Sequence, residues 1–164
     1  MGPELNYVSG SFVIINPDVK FLIMRILKEY STDDALSPLS IEATTLKLLD
    51  ECSKVFPASQ APAWLKQLYE LLNDQWAENF SLSDLADNLQ VHPVTISRYF
   101  PLHFHCTLGE YIRKIRINRS ISLLRHSKMS VTEIAYRCNF SDHSHFTRTF
   151  KSFTGLLPRN FRNI

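Results

Sequence analysis

A chain of 164 residues with 45% hydrophobic and 21% charged residues has the composition of one globular domain or one and a half. Its longest apolar runs, residues 12–15 and 21–24, are too short to span a bilayer, and neither has the layout of a signal peptide. Three cysteines without a C-x-x-C spacing argue against a disulfide framework and a structural zinc site. We therefore expect a cytoplasmic protein that does not have a membrane as a partner.

The small net charge of +2 hides an asymmetry between the two halves of the chain. Residues 1–62 carry five basic and eight acidic side chains, a net of −3, whereas residues 63–164 carry thirteen and eight, a net of +5. From Arg113 onward, the chain has eleven basic residues but only two acidic ones, Glu133 and Asp142. A basic C-terminal half predicts a polyanionic partner, with a solvated basic face as the alternative on charge alone.

The first 62 residues hold two predicted helices. Residues 11–15 could form a short strand, and the turn residues 16–18 start a helix over residues 19–30. A polar stretch then leads to Pro38, which opens a second helix over residues 41–55. Two helices and a strand remnant cannot bury a core of their own, so this segment needs a partner in the following domain or in another chain.

A stretch rich in proline and small residues, 57–62, predicts a boundary between an N-terminal segment, 1–56, and a domain over residues 63–164. Beyond it the apolar periodicity is helical throughout. The predicted helices span residues 64–80, 82–89, 93–100, 108–125, 131–138 and from 141 or 142 to about 153. The predicted N-caps are Ser81 or Ser83, Thr107, Ser130 (in a capping box with Glu133), and Ser141 or Asp142. Pro101 is expected to end the third of these helices, and Gly155 the last.

Two segments of the second half repeat one pattern. They read Leu85-Ala86-x-x-Leu89-x-Val91 with Ile96-Ser97-Arg98-x-Phe100, and Ile134-Ala135-x-x-Cys138-x-Phe140 with Phe146-Thr147-Arg148-x-Phe150. The copies lie 49 residues apart before the turn and 50 after it, as Leu85 to Ile134 and Ile96 to Phe146 show. The pattern is typical of a helix-turn-helix, whose second helix enters the DNA major groove. Two copies in one chain predict a protein that reads two neighbouring groove segments without dimerising. Cys138, at the position of Leu89, is expected to be a small core residue.

The second helix of each copy has a face suited to base contacts. Its core residues are four positions apart, and the opposite face carries small, hydroxyl and arginine side chains. These are Val94, Ser97 and Arg98 in the first copy and Ser144, Thr147 and Arg148 in the second. Arginine can bond guanine in a bidentate fork, hydroxyls can bond several base edges, and methyl groups can contact thymine. Salt bridges to nearby acids are the alternative role for Arg98 and Arg148.

Phosphate contacts, which position a protein without specifying sequence, are expected from the basic side chains nearby. They are Lys151, three residues beyond Arg148, and the basic face of the long helix over residues 108–125. That face is predicted to carry Arg113, Lys114, Arg116 and Arg119.

These residues resemble the C-terminal DNA-binding domain of the AraC-type (AraC/XylS) transcription regulators. The matches are Leu85-Ala86, Ser97-Arg98-x-Phe100, Tyr111-Ile112-x-x-x-Arg116, Ile134-Ala135-x-x-x-x-Phe140, Phe146-x-Arg148-x-Phe150-Lys151 and Gly155-x-x-Pro158-x-x-Phe161-Arg162. The resemblance implies an all-α fold, with seven helices over residues 63–164 in two helix-turn-helix subdomains joined by one long helix. It implies base contacts by Val94, Ser97, Arg98, His143, Ser144, Thr147 and Arg148, beside phosphate contacts by Arg113, Arg116 and Lys151.

The sequence departs from the family pattern at five positions. Gln90 and Asn139 stand where turn glycines are usual, Pro101 where a lysine is usual, and His105 and Leu108 where a glycine and a proline are usual. Four of the five touch the first motif or its exit, so the second is expected to dominate specificity. Residues 19–55 resemble the two helices that follow the regulatory barrel of full-length relatives, which makes residues 1–56 a remnant of a regulatory or dimerisation domain.

The sequence thus predicts a sequence-specific DNA-binding transcription regulator with double-stranded DNA and RNA polymerase as partners and with residues 19–55 available for homodimerisation. The alternative is a protein-interaction module with vestigial DNA binding that pairs through the same residues. No phosphate loop, metal-ligand spacing or nucleophile–base pair is found, so we expect no enzyme activity, metal site or cofactor. The run over residues 103–106, with two His and one Cys, lacks a second pair of ligands.

Overall fold

In the computed structural model, residues 17–32, 34–53 and 62–162 are described. The elements in these ranges are α-helices, and the predicted all-α class is confirmed. They are α1 (Pro17–Thr32), α2 (Ser37–Ser53), α3 (Ala63–Asp74), α4 (Leu82–Leu89), α5 (Pro93–Phe104), α6 (Leu108–His126), α7 (Val131–Arg137), α8 (His143–Thr154) and α9 (Pro158–Arg162). None of these helices is both long and apolar enough to cross a bilayer. The strand expected at 11–15 and the linker before Pro62 lie outside the described residues.

The described residues form two compact units. The first holds residues 62–112, with α3, α4, α5 and the start of α6. The second holds residues 17–53 and 113–162, with α1, α2, the rest of α6, and α7 to α9. Each unit contains one copy of the repeat, and α1 and α2 share a unit with the second copy.

An aromatic cluster forms much of the core of the first unit. The Phe100 and Phe104 rings stack with their centroids 4.1 Å apart, and Tyr111 meets both rings edge-on, at 5.5 and 4.8 Å. Tyr69 of α3 stacks on Phe104 from another side, at 6.4 Å. The cluster joins α3, α5 and the start of α6, and burial raises the pKa of the Tyr111 hydroxyl well above its usual range.

Pro101 lies inside α5, so the prediction that it ends this helix at Phe100 was wrong. The helix continues to Phe104 because that ring is buried against its neighbours. Burying and stacking a phenylalanine offset most of the roughly 3 kcal/mol that an internal proline costs. The helix ends instead at His105, whose backbone N–H donates to the Pro101 carbonyl.

Two other helix bounds differ from the prediction by more than two residues. α3 ends at Asp74, not at residue 80: the Asn73 amide donates to the Tyr69 carbonyl, and Asn and Asp favour helix ends over interiors. α2 begins at Ser37, four residues early, because the Asp34 carboxylate accepts from the Leu36 N–H and the Ser37 hydroxyl. Residues 54 and 55 of the predicted second helix lie outside the described residues.

The predicted N-caps are confirmed, and the structure decides between the two candidates that the sequence left open for α4 and for α8. Ser81, not Ser83, caps α4 in a capping box with Asp84, and Ser130 caps α7 in a second box with Glu133. Asp142 caps α8 by accepting from the His145 N–H at 2.7 Å. Hydrogen bonds at these caps lower the pKa of the three carboxyl groups, of Asp84, Glu133 and Asp142. The caps therefore stabilise the fold at pH values above the ordinary carboxyl pKa. This stabilisation is lost as the pH falls through the lowered pKa.

Three of the five departures from the family pattern occupy left-handed backbone. Gln90, His105 and Asn139 have φ values of 54°, 52° and 56°, where glycine is the usual residue. Gly155, with φ of 77°, ends α8 in the same conformation, as predicted. The chain therefore keeps the turn geometry that a glycine would give and carries the strain of a side chain there.

Replacing Gln90 by glycine is expected to raise the free energy of unfolding by about 1 kcal/mol. A side chain in left-handed backbone costs roughly 1–2 kcal/mol, and the added freedom of glycine in the unfolded chain offsets part of the gain. Urea unfolding measures the change. The matched control is Gln67→Gly, at an exposed position inside α3, which is expected to lower the free energy of unfolding by about 1 kcal/mol. A loss at both positions would contradict the left-handed turn at Gln90.

Candidate nucleic-acid interface

The second recognition helix, α8, is fixed by a row of phenylalanines. Phe146 and Phe150 are fully buried, with ring centroids 5.7 Å apart. Phe140 meets Phe146 at 5.2 Å, and Phe161 of α9 meets Phe150 at 5.7 Å. These contacts fix which side of α8 faces the core. The opposite side therefore keeps one orientation towards solvent.

That solvent-facing side carries most of the predicted contact residues. His143, Ser144, Arg148 and Lys151 are exposed, whereas Thr147 is half-buried. The Thr147 hydroxyl oxygen has no solvent contact, and it has no hydrogen-bond partner among the described residues. The exposed set combines hydroxyl, imidazole, guanidinium and ammonium groups on one short helix.

The turn before α8 is held by backbone and core contacts. The Phe140 N–H donates to the Ala135 carbonyl at 3.0 Å, across the left-handed Asn139. Cys138 is fully buried, and burial raises the pKa of its thiol to about 12. It is a protonated, unreactive core residue, as predicted from its place in the repeat.

Arg116 also contacts this turn. One guanidinium nitrogen, Nη1, donates to the Asn139 carbonyl at 2.9 Å, and partial burial lowers the pKa of the group. Arg116 thereby joins α6 to the turn that orients α8. This contact is structural, and the predicted contact of Arg116 with phosphate stays a prediction.

The first recognition helix, α5, shows a similar division between its two sides. Ile96 and Phe100 are fully buried, whereas Val94, Ser97 and Arg98 are exposed. The helix is capped by His92, whose Nδ1 accepts from the Val94 N–H at 3.3 Å. This cap was missed from the sequence because histidine is not among the usual capping residues.

The arginines of the two helices are open to an external partner. In the described part of the chain, neither Arg98 nor Arg148 lies within ion-pair distance of a carboxylate. The Arg98 guanidinium lies 5.9 Å from the Tyr99 ring centroid. Internal salt bridges, the alternative role for both side chains, are not favoured.

Lys114 does not belong to the exposed basic face of α6, where the sequence analysis placed it. Its side chain is 5% exposed, and its Nζ lies 2.8 Å from the Asp18 carboxylate of α1. The prediction was wrong because α1 covers this side of α6, a contact between residues 96 positions apart that periodicity does not show. Arg113 and Arg119 are exposed as expected.

Helix α1 packs on the second motif and leaves the recognition face of α8 uncovered. The rings of Phe21 and Phe153 stack at 5.3 Å, and the Lys20 ammonium donates to the Asn118 side chain at 2.6 Å. Phe153 follows Arg148 by five residues, which places it about 140° around the helix. Through Phe21, helix α1 thus buries part of its apolar surface against the second motif of its own chain.

Comparisons with known proteins agree with this geometry. Residues 85–164, which begin at α4 and include both copies of the repeat, match a family described as a helix-turn-helix domain. A transcriptional regulator from Chromobacterium violaceum, described as having an AraC-type DNA-binding domain, superposes with a TM-score of 0.58 at 26% identity. The match covers 61% of this chain and 89% of that one. The chain contains a DNA-binding domain of the AraC type.

Two further proteins are similar to this AraC-type chain, one in sequence and one in structure. The transcriptional activator RhaS of Salmonella arizonae is 36% identical over 117 residues, which cover 71% of this chain and 42% of RhaS. The chain therefore spans less than half the length of that relative. The DNA-binding domain of AdpA, solved in complex with a target DNA, has a TM-score of 0.57 at 23% identity over 60% of this chain and 89% of AdpA's. At that identity the likeness shows the fold alone.

Proposed function

We propose that this chain is a sequence-specific DNA-binding transcription regulator that inserts α5 and α8 into adjacent major-groove segments. The observation that carries the proposal is the face of α8. Its Ser144, Arg148 and Lys151 are exposed while Phe146 and Phe150 fix the helix from behind. A short helix with a guanidinium and hydroxyls on one face is suited to base edges. The relative RhaS is named a transcriptional activator, which supports this role.

The proposed contacts are made by side chains of the two recognition helices and of α6. Base contacts are assigned to Val94, Ser97 and Arg98 of α5 and to His143, Ser144, Thr147 and Arg148 of α8. Phosphate contacts are assigned to Arg113, Arg116 and Lys151. A guanidinium has five N–H donors, so the bond from Arg116 to Asn139 leaves others for a phosphate oxygen.

The remaining assignments concern organisation and partners. In this proposal residues 63–164 are the DNA-binding domain, residues 57–62 a linker, and residues 1–56 the end of a regulatory or dimerisation domain. The chain acts in the cytoplasm without an enzymatic reaction, and RNA polymerase is its partner beyond DNA. The activator names of the relatives support the polymerase assignment.

A homodimer through α1 and α2 is part of the proposal. Ile23, Leu27 and Tyr30 are exposed on α1 at the i, i+4, i+7 spacing of one helix face. α2 exposes Leu39, Leu46 and Leu49 in a similar stripe. A second copy would bury both stripes. Sedimentation velocity over a range of protein concentrations tests this, and a monomer throughout would remove the dimer from the proposal.

Selection of bound sites from a random DNA pool, with the full chain, tests the function as a whole. We expect enrichment of one asymmetric sequence. Footprinting on it should then show two protected groove segments about 34–36 Å apart, one helical turn. A pool that enriches no sequence would favour the alternative, an interaction module that pairs through residues 19–55.

Binding is expected to weaken steeply with salt, and Lys151→Ala should reduce that dependence. Each neutralised phosphate contributes about −0.9 to the slope of log K against log salt concentration, so loss of one contact makes the slope shallower by about one. The variant should weaken binding to all sequences alike. Lys47→Ala, at an exposed basic position on α2, is the control and should leave the slope unchanged. Equal slopes for the wild type and Lys151→Ala would remove Lys151 from the phosphate contacts.

A further inference from the structure

Thr147 lies at the edge of the exposed face of α8. Ser144 precedes it by three residues and Lys151 follows it by four, so the three side chains share one side of the helix. Its neighbours differ: Phe146 is fully buried and Arg148 is exposed. Thr147 is half-buried, at the border between the core and the proposed base-reading surface.

The two branches of this side chain have different surroundings. The hydroxyl oxygen Oγ1 has no contact with solvent and no hydrogen-bond partner. By contrast, the buried hydroxyl of Thr154 on the same helix donates to the Phe150 carbonyl at 2.8 Å. The substituents of Cβ are staggered about 120° apart. Because the hydroxyl has no contact with solvent, an external ligand that reaches this side chain meets Cβ or the methyl group Cγ2.

From this orientation we propose that Thr147 recognises a thymine through its methyl group. The inference rests on the proposed function and names the chemistry of one contact within it. In the major groove, thymine presents a 5-methyl group, and a threonine methyl is a known apolar partner for it. A hydrogen bond from Thr147 to a base would require rotation about χ1, because the hydroxyl has no contact with solvent in the observed rotamer.

The neighbouring side chain extends the expected sequence. Arg148 is exposed beside Thr147, and a guanidinium in the major groove favours guanine through its O6 and N7 atoms. The half of the selected site that α8 contacts should therefore contain both a thymine and a guanine.

Two variants separate the branches of Thr147. Thr147→Val keeps the methyl group and replaces the buried hydroxyl by a second methyl, whereas Thr147→Ser keeps the hydroxyl and removes the methyl. Both are compared with the wild type on the DNA sequence selected from the random pool. In that DNA each thymine is replaced in turn by uracil, which retains O4 and the base pairing but lacks the 5-methyl group.

Wild type and Thr147→Val are expected to lose about four-fold in affinity at one thymine-to-uracil replacement, the size expected from the burial of one methyl-sized group. Thr147→Ser should bind the thymine and uracil forms of that position equally well. The thermal midpoint of Thr147→Val should equal or exceed that of the wild type, because the substitution removes a buried hydroxyl without a partner.

Other results would overturn the inference. A selected site that is insensitive to uracil at every position, or a Thr147→Ser variant that keeps the preference for thymine, would overturn thymine recognition while the proposed function stands. A folded Thr147→Val that loses the preference would do the same, because it would assign recognition to the hydroxyl. Failure to enrich any sequence would overturn both proposals.

Discussion

Replacing Asp18 by alanine is expected to cost about 3 kcal/mol of the free energy of unfolding of the second unit. The substitution removes the carboxylate 2.8 Å from the Lys114 ammonium, whose side chain is only 5% exposed. Breaking a buried ion pair from one side costs roughly 3–5 kcal/mol, and the low end applies because the Asp18 side chain is 27% exposed. Urea unfolding, combined with amide hydrogen exchange within α8, measures the loss.

Lys114→Met completes the test of this ion pair. Methionine replaces the aliphatic stem of the buried lysine and leaves Asp18, which water can reach, so the expected cost is smaller than for Asp18→Ala. The surface control Glu42→Ala on α2 should stay within about 0.5 kcal/mol of the wild type. A neutral Asp18→Ala would contradict the role of this pair in holding α1 on α6.

The second large effect is expected for Phe150→Ala, which should cost about 3–5 kcal/mol. Phe150 is fully buried between Phe146 and Phe161, and removing a buried ring loses transfer free energy and leaves a cavity. Urea unfolding should show the loss, and DNA affinity should fall because α8 loses its support. Tyr136→Ala is the control: this ring is 60% exposed in the same unit, so its removal should be nearly neutral. Equal stabilities of the two variants would contradict the assigned core of α8.

Local chemistry predicted the second half of the chain well. Capping residues, apolar spacing and the repeat placed α4 and α7 to within a residue, and located both recognition helices. These signals operate within one or two helical turns, which is the range over which side chains interact with their own helix. The buried positions Ile96, Phe146 and Cys138 follow from them directly.

The misplaced features depend on contacts between distant residues. Pro101 fails to end α5 because Phe104 is drawn into a cluster with Tyr69 and Tyr111. Lys114 has the charge of a surface residue but is buried because Asp18 pairs with it. Both features depend on which helices contact each other in the fold. The periodicity of apolar residues within one helix does not predict those contacts.

The second motif is predicted to contribute more to sequence specificity than the first. The backbone strain in the two motifs can be compared with that prediction. Gln90 and His105, on either side of α5, both hold left-handed backbone with long side chains, whereas the second motif has Asn139 and Gly155 there. Asparagine tolerates that conformation better than glutamine does, and glycine adopts it without the strain of a side chain. The second motif is therefore the one whose geometry the sequence supports more fully, in line with the prediction that α8 dominates specificity.

The affinity ratio for selected over scrambled DNA, measured for Arg148→Ala against wild type, tests base reading by α8 most directly. We expect the ratio to fall by about 5- to 150-fold, corresponding to the loss of 1–3 kcal/mol with one bidentate contact, and the preference at one base pair to relax. Lys151→Ala, one turn further along the same helix, should lower both affinities and leave the ratio unchanged. An Arg148→Ala protein that keeps the wild-type ratio would contradict base reading by α8.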